Sequence, residues 1–430
     1  MKTVIMAGGK GTRIASIADD IPKPMIPLCG KPILEYQINC LRDNGLTDII
    51  VVIGHLGACI QNHFGDGKNF SCNISYFSEK DPLGTAGALY KIQDQLEEDF
   101  LLINGDIIFD IDIGRFISFH KEKNSFATLA VHPNNHPFDS ALLITDTEHR
   151  VTKWLNKEEE RLYYKNQVNA GLHILTQTLL KKIIPAKEKV DLDRDILKPM
   201  ISSGKIYAYN TPEYIKDMGT PERYYQVTHD IESGLVKNRN LSNPQKAVFL
   251  DRDGTINKQV TGSFITQAEK LILLPDVAEA VCSINQSGYL AIVITNQPVI
   301  ARGDVTFEGL EEIHNKMETD LGAQGAFLDD IFFCPHHPDK GFAGERLEYK
   351  IICDCRKPKP GMILQAAKKY NIDLSQSYMV GDTLNDVESG IAAGCKAVWL
   401  QDSFSNKTKI INEKEVLLFQ SLKDFARQRV

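Results

Sequence analysis

The sequence has no long hydrophobic run and no surplus of basic residues. No apolar stretch approaches the ~20 residues that a helix needs to cross a bilayer, so we expect no membrane-spanning segment. Lys and Arg number 49 against 56 Asp and Glu, and this net charge of −7 gives no support to binding along a nucleic-acid backbone. Residues 1–6 run straight into a glycine-rich segment, without the apolar core and cleavage site of a signal peptide. We therefore expect a cytoplasmic protein with neither a membrane nor a nucleic-acid partner.

Cysteine is uncommon and irregularly spaced. The nine cysteines are an odd number, and Cys40, Cys282 and Cys395 lie in apolar patterns. Such usage is typical of a reducing compartment, where a tight Cys/His group indicates a metal more often than a disulfide. The 430 residues exceed one ordinary core, so two domains are the natural expectation.

Short apolar runs alternate with amphipathic stretches in both halves, which predicts βαβ units and an α/β fold. In the first half, strands are predicted at 3–6, 49–53, 100–103 and 127–131, with helices at 33–44 and 86–96. In the second half, strands are predicted at 247–250, 290–294, 330–333, 378–380 and 397–400. A polar, proline-ended segment separates the two sets. We therefore predict two domains, 1–233 and 246–430, joined by a linker at 234–245.

The first predicted strand leads into a glycine-rich loop that begins at Ala7 and reads Ala-Gly-Gly-Lys-Gly-Thr-Arg. Glycines let the backbone approach a polyphosphate closely, and Lys10 and Arg13 supply positive charge. An ordinary strand-to-helix turn is the alternative, because the spacing matches neither a Walker A loop nor a dinucleotide-binding motif. The following Pro-Lys-Pro-Met segment holds Lys23 between two prolines, which stiffen its backbone.

The stretch from residue 7 to residue 25 resembles the signature of sugar-1-phosphate nucleotidyltransferases. The resemblance continues in order through 79–87, 104–106, 168–171 and 217–224, and it spans residues 1–233. It implies a Rossmann-like mixed sheet and a base- and ribose-binding loop at 79–87, in the form common among mannose-1-phosphate guanylyltransferases. The nucleotide-binding residues that it implies are Ala7, Gly8, Gly9, Gly11, Thr12, Arg13, Gly84, Thr85 and Gly87.

In that family a sugar-phosphate oxygen attacks the α-phosphorus of a nucleotide and pyrophosphate leaves, without a covalent enzyme intermediate. The protein therefore works by positioning the substrates and neutralising charge. Asp106, at a strand end, and Asp217 would hold Mg²⁺, a hard cation that prefers carboxylate oxygens. Arg13 and Lys23 would stabilise the growing negative charge.

The sugar side of this site is implied by the resemblance alone. Asn169 and Gly171 lie in the segment that matches the sugar-binding strand, and Lys157 matches a lysine that contacts the sugar phosphate. Family members usually carry Glu-Lys-Pro at that lysine, whereas this chain reads Trp-Leu-Asn-Lys-Glu at 154–158. The neighbours of Lys157 therefore depart from the family pattern.

Asp251 and Asp253 lie just past a second apolar strand, in the sequence Asp-Arg-Asp-Gly-Thr. A turn or a fragment of a Ca²⁺ loop is the alternative, but this sequence after a strand resembles the first motif of the haloacid dehalogenase superfamily. The other motifs follow in order at 294–297, 356–358 and 381–386. The resemblance implies a Rossmannoid parallel sheet and a phosphatase that works through an aspartyl phosphate.

The residue types in these motifs suit that chemistry. Asp251 would attack phosphorus, and Asp253 would protonate the leaving alkoxide and then activate water. Thr295 and Lys357 would bind the oxygens of the transferring phosphoryl group. Mg²⁺ would bridge the carboxylates of Asp251 and Asp382 and the backbone carbonyl of Asp253.

Two tight pairs of metal-binding residue types lie at 334–338 and 353–355, reading Cys-Pro-His-His-Pro and Cys-Asp-Cys. Three thiolates and one imidazole suit a tetrahedral structural zinc site, and the alternative is four unlinked buried residues. The predicted Zn²⁺ ligands are Cys334, His336, Cys353 and Cys355. Closed coordination would clip the polar loop between the pairs, which indicates structure rather than catalysis.

The block 353–362 resembles the D-glycero-D-manno-heptose-1,7-bisphosphate phosphatases and the related histidinol-phosphate phosphatases. This resemblance implies that Asn296, Arg302 and Arg356 bind substrate. The relatives usually carry a small residue and Gly after Asn-Gln, whereas Pro298 and Val299 stand here.

The whole chain thus resembles a fusion of these two families. Together they imply removal of the 7-phosphate of a heptose bisphosphate and transfer of GMP from GTP to the remaining 1-phosphate, so the expected partners are GTP and heptose phosphates, with Mg²⁺ at both sites. One alternative is a hexose-1-phosphate transferase joined to a histidinol-phosphate-like phosphatase, and another is a half that senses ligand without turnover. The sequence leaves a homo-oligomer open.

Overall fold

The structure is a computed structural model that describes residues 1–9, 20–260, 263–341 and 343–430. The chain divides into two compact units. Unit 1 comprises Met1–His132, Ala141–Asn156 and Gln167–Asn240, and unit 2 comprises Pro133–Ser140, Lys157–Asn166 and Leu241–Val430. Two short segments from the first half of the chain therefore group with unit 2. The sequence-based boundaries 1–233, 234–245 and 246–430 assign both segments to the first domain, and these boundaries stay a prediction.

Unit 1 is built on a mixed sheet. Its strands are β1 (Lys2–Met6), β2 (Pro27–Leu28), β3 (Lys31–Pro32), β4 (Asp48–Ile53), β5 (Asn73–Ser78), β6 (Asp99–Asn104), β7 (Ile107–Asp110), β8 (Ala127–His132), β9 (Leu142–Thr145), β10 (Val151–Leu155), β11 (Val168–Thr176), β12 (Ile206–Asn210) and β13 (Tyr214–Asp217). Its helices are α1 (Ile33–Asp43), α2 (Gly57–Phe64), α3 (Gly87–Lys91), α4 (Ile113–Lys123), α5 (Gln177–Lys182), α6 (Lys198–Met200), α7 (Pro221–Glu232) and α8 (Leu235–Asn238).

The order of the main sheet is β10-β9-β11-β6-β1-β4-β5, with β8 joining β11 to β12. Strand β1 is parallel to both β4 and β6, whereas β11 is antiparallel to β6. The carboxyl ends of β1 and β6 therefore lie at one edge of the sheet, which is where open α/β sheets bind ligands. The predicted mixed α/β sheet is confirmed.

The predicted strands of unit 1 agree with β1, β4, β6 and β8 to within a residue or two. The predicted helix at 86–96 is shorter, because α3 ends at Lys91 and a 3₁₀ turn at Gln93–Gln95 follows. The segment predicted as a linker contains helix α8, whose Val236 is buried in a small apolar cluster of unit 1.

Unit 2 is built on a second sheet. Its strands are β14 (Lys246–Leu250), β15 (Tyr289–Asn296), β16 (Asp330–Cys334), β17 (Tyr378–Gly381), β18 (Lys396–Leu400), β19 (Thr408–Ile411) and β20 (Lys414–Phe419). Its helices are α9 (Val277–Gln286), α10 (Val299–Arg302), α11 (Phe307–Gly322), α12 (Gly361–Tyr370), α13 (Leu384–Ala393) and α14 (Leu422–Arg429).

The order of this sheet is β16-β15-β14-β17-β18-β20-β19, and all neighbours are parallel except the edge pair β19–β20. Its central strands are continuous buried apolar runs, as expected of a sheet covered on both faces. The carboxyl ends of β14, β15 and β17 meet at one edge and bring the predicted phosphatase motifs together, which confirms the predicted parallel fold. In the described parts of the chain, no helix is both long and apolar enough to span a membrane.

Two candidate active sites and a candidate metal cluster

Unit 1 has a cleft of about 410 Å³ at the carboxyl ends of β1 and β6. The cleft brings the predicted loops of the first site together. Its lining residues are Met6, Ala7, Gly8, Gly9, Lys23, Pro24, Glu79, Pro82, Gly84, Thr85, Asn104, Gly105, Asp106 and Gly219. Gly11, Thr12 and Arg13, which the sequence assigns to the same loop, lie outside the described residues.

Lys23 and Asp106 form an ion pair in this cleft. The Nζ atom of Lys23 lies 2.6 Å from Oδ2 of Asp106, and the side chains are 10% and 37% exposed. Both residues line the cleft, so the ammonium of Lys23 is placed where it could neutralise a phosphate and the carboxylate of Asp106 where it could bind a cation. The pairing agrees with the predicted roles of both residues, which stay predictions.

A short two-stranded ladder brings the two predicted metal-binding aspartates of unit 1 together. Strand β7 begins directly after Asp106 and pairs with β13, so that Asp217 stands opposite Ile107. The N–H of Met218 donates to the carbonyl of Asp106 at 2.8 Å. Arg223, on α7, reaches back and donates from Nη1 to both carboxylate oxygens of Asp217.

The loop that carries Asp106 is held by a glutamine that sequence reasoning missed. Gln37 is fully buried on α1, and its Nε2 donates to the carbonyls of Asn104 (2.9 Å) and Ile107 (2.8 Å). These two bonds bracket the predicted metal ligand. The only signal in the sequence is an amide on the apolar face of an amphipathic helix.

Two glycines of the predicted motifs have positive φ and no room for a side chain. A Cβ on Gly84 (φ +84°) would lie 2.3 Å from the carbonyl oxygen of Val190, and one on Gly171 (φ +71°) would lie 2.4 Å from the side chain of Asn104. Glycine is therefore required at both positions by conformation and by contact. Gly171 packs on a cleft-lining residue, which ties the predicted sugar-binding strand to the cleft.

Glu79 places a carboxylate against the glycine loop. A Cβ on Gly8 would lie 2.9 Å from its Oε2, and its Oε1 is buried without a hydrogen-bond partner among the residues that the structure describes. Burial raises the pKa of Glu79, which a backbone hydrogen bond from Leu83 partly offsets. Glu79 begins the predicted base- and ribose-binding loop at 79–87, but its residue type alone predicted no role for it.

Two predicted residues of the first site, Lys157 and Asn169, are not among the residues that line the cleft, whereas Thr85 is. Lys157 is 59% exposed, lies 3.9 Å from Glu158 and belongs to a segment of unit 2. The Oδ1 atom of Asn169 accepts a hydrogen bond from the N–H of Gly171. Thr85 accepts the N–H of Leu192 through its hydroxyl at 2.7 Å, which holds the cleft wall in place.

In unit 2, Lys357 lies at the centre of the predicted phosphatase site. Its buried Nζ is 2.6 Å from Oδ1 of Asp251, 2.5 Å from Oδ1 of Asp386 and 2.8 Å from the carbonyl of Ile294. The backbone of Lys357 is fixed by Asn296, whose side-chain amide both accepts its N–H and donates to its carbonyl. A buried ammonium between two carboxylates offers positive charge to phosphoryl oxygens.

Three carboxylates gather around the expected metal position. One oxygen each of Asp251, Asp382 and Asp386 lies within 4.8 Å of the others. Burial and the charge of Asp386 raise the pKa of Asp251 to about 8 in spite of Lys357, and burial raises the pKa of Asp382 to about 6. Oδ1 of Asp382 is buried and has no hydrogen-bond partner in the described part of the chain. Crowded carboxylates with an unsatisfied oxygen fit a divalent cation.

The carboxylate of Asp253 has hydrogen-bond donors of its own. Arg252 donates from Nη2 to both carboxylate oxygens at 2.9 and 3.0 Å, Asn257 donates to Oδ1 at 3.0 Å, and Gln297 donates to Oδ2 at 3.0 Å. Burial alone would raise the pKa of Asp253, but Arg252 and the two amides lower it below its ordinary value. The sequence predicted Asp253 and missed the three side chains that hold it.

A cavity of about 170 Å³ opens over these groups. Its lining includes Asp251, Asp253, Thr295, Asn296 and Lys357, so five predicted residues face one space. The predicted substrate arginines have neighbours of their own. The guanidinium of Arg302 lies 4.5 Å from the ring centre of Phe264, which lines the cavity, and Nη1 of Arg356 donates to the carbonyl of His336.

The four predicted zinc ligands form one cluster in unit 2. The Sγ atoms of Cys334, Cys353 and Cys355 are 3.2–3.5 Å apart, and Nδ1 of His336 lies 3.3 Å from Cys355 and 3.7 Å from Cys334. Tetrahedral Zn²⁺ with bonds of about 2.3 Å spaces its sulfur ligands about 3.8 Å apart, so a small expansion would fit the ion. Nδ1 of His337 accepts the N–H of Asp339, which agrees with leaving this histidine out of the ligand set.

Comparisons with known proteins match the two halves of the chain to different families. Residues 2–234 match the model of the nucleotidyl transferase family, and residues 354–425 match the HAD-hydrolase-like model. In the first half, the chain is 30% identical over 235 residues to a mannose-1-phosphate guanylyltransferase of Mycobacterium tuberculosis, covering 54% of this chain and 65% of that protein. It is also 30% identical over 253 residues to a UTP–glucose-1-phosphate uridylyltransferase of Synechocystis, covering 55% of this chain and 65% of that protein. The chain thus spans about two thirds of the length of these relatives.

In the second half, the chain is 40% identical over 148 residues to a D-glycero-beta-D-manno-heptose-1,7-bisphosphate 7-phosphatase of Rhodopseudomonas palustris. That match covers 34% of this chain and 79% of the relative. The two halves therefore resemble enzymes of different classes, a transferase and a hydrolase, which agrees with two separate sites.

Proposed function

The chain belongs to the nucleotidyl transferase family through residues 2–234 and to the family of the heptose-bisphosphate 7-phosphatases through its second half, and we propose that it catalyses two consecutive reactions. It removes the 7-phosphate of D-glycero-D-manno-heptose 1,7-bisphosphate and then transfers GMP from GTP to the heptose 1-phosphate, releasing pyrophosphate. The product, a GDP-heptose, serves the assembly of a surface polysaccharide. The observation that carries this proposal is the arrangement of Asp251, Asp253 and Lys357 around one small cavity, in a half that is 40% identical to a phosphatase of this specificity.

The phosphatase half-reactions follow from the side chains in the cavity. A carboxylate oxygen of Asp251 attacks phosphorus, the bond from phosphorus to the sugar oxygen breaks, and Asp253 gives a proton to that oxygen. Water then attacks the aspartyl phosphate, Asp253 takes a proton from the water, and inorganic phosphate leaves. Lys357 and the hydroxyl of Thr295 bind the phosphoryl oxygens throughout.

Transfer in unit 1 follows from the cleft at the ends of β1 and β6. The 1-phosphate oxygen of the sugar attacks the α-phosphorus of the nucleotide, and the bond to the β-phosphate oxygen breaks. Lys23, held by Asp106, neutralises charge as it develops. The protein forms no covalent intermediate in this reaction.

Glu79 supports GTP as the nucleotide. Guanine presents two adjacent donors, N1–H and the 2-amino group, which a carboxylate receives through its two oxygens. Uracil presents one donor between two acceptors, so the same carboxylate disfavours it. Oε1 of Glu79 has no hydrogen-bond partner among the described residues, which leaves an acceptor for guanine.

Metal ions would be held by carboxylates in both units. Asp106 and Asp217 would hold Mg²⁺ in unit 1, and Asp251, Asp382 and the backbone carbonyl of Asp253 would hold it in unit 2. Bound there, the ion shields the charge of the phosphates. The Cys/His cluster would hold one structural Zn²⁺. Nine free cysteines suit the reducing cytoplasm, and the substrates are small molecules.

One assay tests the proposal. Purified protein is given α- or β-heptose 1,7-bisphosphate, Mg²⁺ and one nucleoside triphosphate at a time, and phosphate, pyrophosphate and nucleotide sugars are quantified. Inorganic phosphate is expected with every nucleoside triphosphate, whereas GDP-heptose and pyrophosphate are expected with GTP alone. Asp251→Asn should abolish phosphate release yet keep transfer to a supplied heptose 1-phosphate, and Asp106→Ala should do the reverse, with a loss of roughly a hundredfold or more. Loss of both activities in either folded variant would contradict two independent sites.

A second candidate is a hexose-1-phosphate nucleotidyltransferase joined to a histidinol-phosphate-like phosphatase. The 30% identity to a mannose-1-phosphate guanylyltransferase favours it for the first half. Mannose 1-phosphate and histidinol phosphate are therefore assayed in parallel. Higher kcat/KM on these two compounds than on the heptose phosphates would establish this candidate instead.

A further inference from the structure

Gln297 links two side chains of the phosphatase site. It directly follows β15 and is completely buried. Its Nε2 donates to Oδ2 of Asp253 at 3.0 Å and to Oγ1 of Thr295 at 2.8 Å. One amide group therefore contacts both the acid/base carboxylate and the hydroxyl proposed to bind the phosphoryl group.

The position of Gln297 is set by its backbone. Its N–H donates to the carbonyl of Cys334 at 2.8 Å, which extends the ladder between β15 and β16 by one bond. The side chain thus starts from a rigid point on the sheet. Unlike its neighbours Thr295 and Asn296, Gln297 does not line the cavity. Its influence on a substrate is therefore transmitted through other side chains.

The other end of the amide has no bond of its own. Oε1 is buried without a hydrogen-bond partner among residues 1–9, 20–260, 263–341 and 343–430. Turning the amide over would aim this oxygen at the carboxylate of Asp253, and two acceptors would then face each other. Asp253 and Thr295 therefore determine the orientation of the Gln297 amide. Burying Oε1 without a hydrogen bond destabilises the folded state.

We propose that Gln297 is a positioning residue for the phosphatase reaction, orienting Asp253 for proton transfer and Thr295 for phosphoryl binding. The inference rests on the proposed function, which gives Asp253 the acid/base role. By donating to Oγ1, Gln297 leaves the hydroxyl proton of Thr295 directed elsewhere, toward a phosphoryl oxygen. By donating to Oδ2, it fixes the plane of the carboxylate that passes a proton to the leaving sugar oxygen and later receives one from water.

Gln297→Met tests the inference in the full-length protein, because methionine keeps the length and volume of the side chain but removes both amide atoms. On a sugar phosphate, kcat is expected to fall about 10- to 100-fold, within the range of general acid–base catalysis, while KM changes less than about threefold. The phosphatase melting temperature is expected to stay equal or to rise, since the orphaned oxygen is gone. A merely structural glutamine would instead lower the melting temperature.

Two further measurements separate positioning from general damage. Formation of the aspartyl phosphate from p-nitrophenyl phosphate, read as the burst of p-nitrophenolate, needs little acid assistance and is expected to stay within about threefold of the parent rate. In an Asp253→Asn background, adding Gln297→Met is expected to lower kcat little further, because both substitutions disable the same proton transfer. Gln245→Met, a second buried glutamine of unit 2 that donates to the carbonyl of Asn243, is the matched control and should leave kcat unchanged.

The outcomes distinguish the inference from the proposed function. If Asp253→Asn hydrolyses sugar phosphates normally, the acid/base assignment itself is wrong. Two outcomes would overturn the positioning role while the assignment of Asp253 stands. In the first, Asp253→Asn is inactive but Gln297→Met has the same kcat as Gln245→Met. In the second, the decreases in kcat of Asp253→Asn and Gln297→Met multiply in the double variant.

Discussion

Arg223 donates hydrogen bonds to both carboxylate oxygens of Asp217: its Nη1 lies 2.7 Å from Oδ1 and 2.8 Å from Oδ2. Asp217 is a proposed Mg²⁺ ligand, so the guanidinium and the metal compete for the same oxygens. The N–H of Gly219 also donates to Oδ1, and a side chain at Gly219 would collide with that oxygen. The carboxylate is thus held in one orientation with a cation already paired to it.

Replacing Arg223 by glutamine should lower the Mg²⁺ concentration needed for nucleotidyl transfer. A partly exposed ion pair contributes up to about 1 kcal/mol, which corresponds to a shift of about fivefold at most. The measurement is a titration of transferase activity with Mg²⁺, supported by calorimetric Mg²⁺ binding. Arg115→Gln, which loosens the comparable pair with Asp112, is the control and should leave the titration unchanged. An increased Mg²⁺ requirement in Arg223→Gln would show that the arginine helps the metal rather than competing with it.

Changing Glu79 to glutamine should reduce the preference for GTP. The amide supplies only one acceptor where the carboxylate supplies two, and a hydrogen bond to a charged group contributes about 1.5–3 kcal/mol. We therefore expect kcat/KM for GTP to fall about 10- to 100-fold, with a much smaller change for UTP. Steady-state rates with each nucleotide provide the test, with the exposed neighbour Asp81→Asn as control. Equal losses for both nucleotides would place Glu79 away from the base.

Glu318 should make the stability of unit 2 depend on pH. It is buried on α11, where it accepts the N–H of Asn166 at 2.7 Å, and burial raises its pKa to about 7. Because the folded pKa exceeds the unfolded one, the folded state binds the proton more tightly. The resulting stabilisation is present below the unfolded pKa, near 4.5, and is lost as pH rises through about 7.

Glu318→Gln keeps the acceptor for Asn166 and removes the charge. It should therefore stabilise unit 2 at pH 8, by up to about 3 kcal/mol, and have little effect at pH 4.5. Thermal or urea unfolding at several pH values measures this. Glu312→Gln, an exposed glutamate on the same helix, should show no such trend. A pH-independent effect of Glu318→Gln would mean that the carboxyl stays ionised in the fold.

Much of the architecture was predictable because the buried strands are short, continuous apolar runs at the ends of which the motifs stand. Asp106, Asp251 and Asp382 all follow such strands, so parallel pairing places each of them at the carboxyl edge of the sheet of its own unit, where open α/β sheets bind ligands. The Cys/His cluster was predictable because its four members lie in two short segments, 334–336 and 353–355. Strands β19 and β20 were not predicted, since their alternation of polar and apolar residues is too short to distinguish from a loop.

The supporting side chains were not predictable from the sequence. Gln37 and Gln297 are remote in sequence from at least one of the groups they hold. Arg223 lies only six residues after Asp217, but the turn between them is what brings the guanidinium back to the carboxylate. The grouping of residues 157–166 with unit 2 was also not predictable, and the role of Lys157 stays a prediction. Family resemblance assigned that lysine by its position along the chain, whereas its surroundings follow from tertiary packing.

The Cys/His cluster should contain zinc and should support catalysis through the backbone. Elemental analysis of protein purified without chelator is expected to give about one zinc per chain. Two active-site contacts start from ligand residues: the carbonyl of His336 accepts Nη1 of Arg356, and the carbonyl of Cys334 accepts the N–H of Gln297. Loss of the metal should therefore disturb Arg356 directly and Asp253 through Gln297.

Cys353→Ser removes one thiolate of the cluster, and it should lower both the melting temperature of unit 2 and phosphatase kcat/KM. Nucleotidyl transfer from a supplied sugar 1-phosphate should survive, because its residues lie in unit 1. Cys282→Ser is the matched control, since its sulfur contacts only the carbonyl of Gln324 among the hydrogen bonds of the described residues. Absence of zinc, or a Cys353→Ser protein as stable and active as Cys282→Ser, would show that the four residues do not form a structural zinc site.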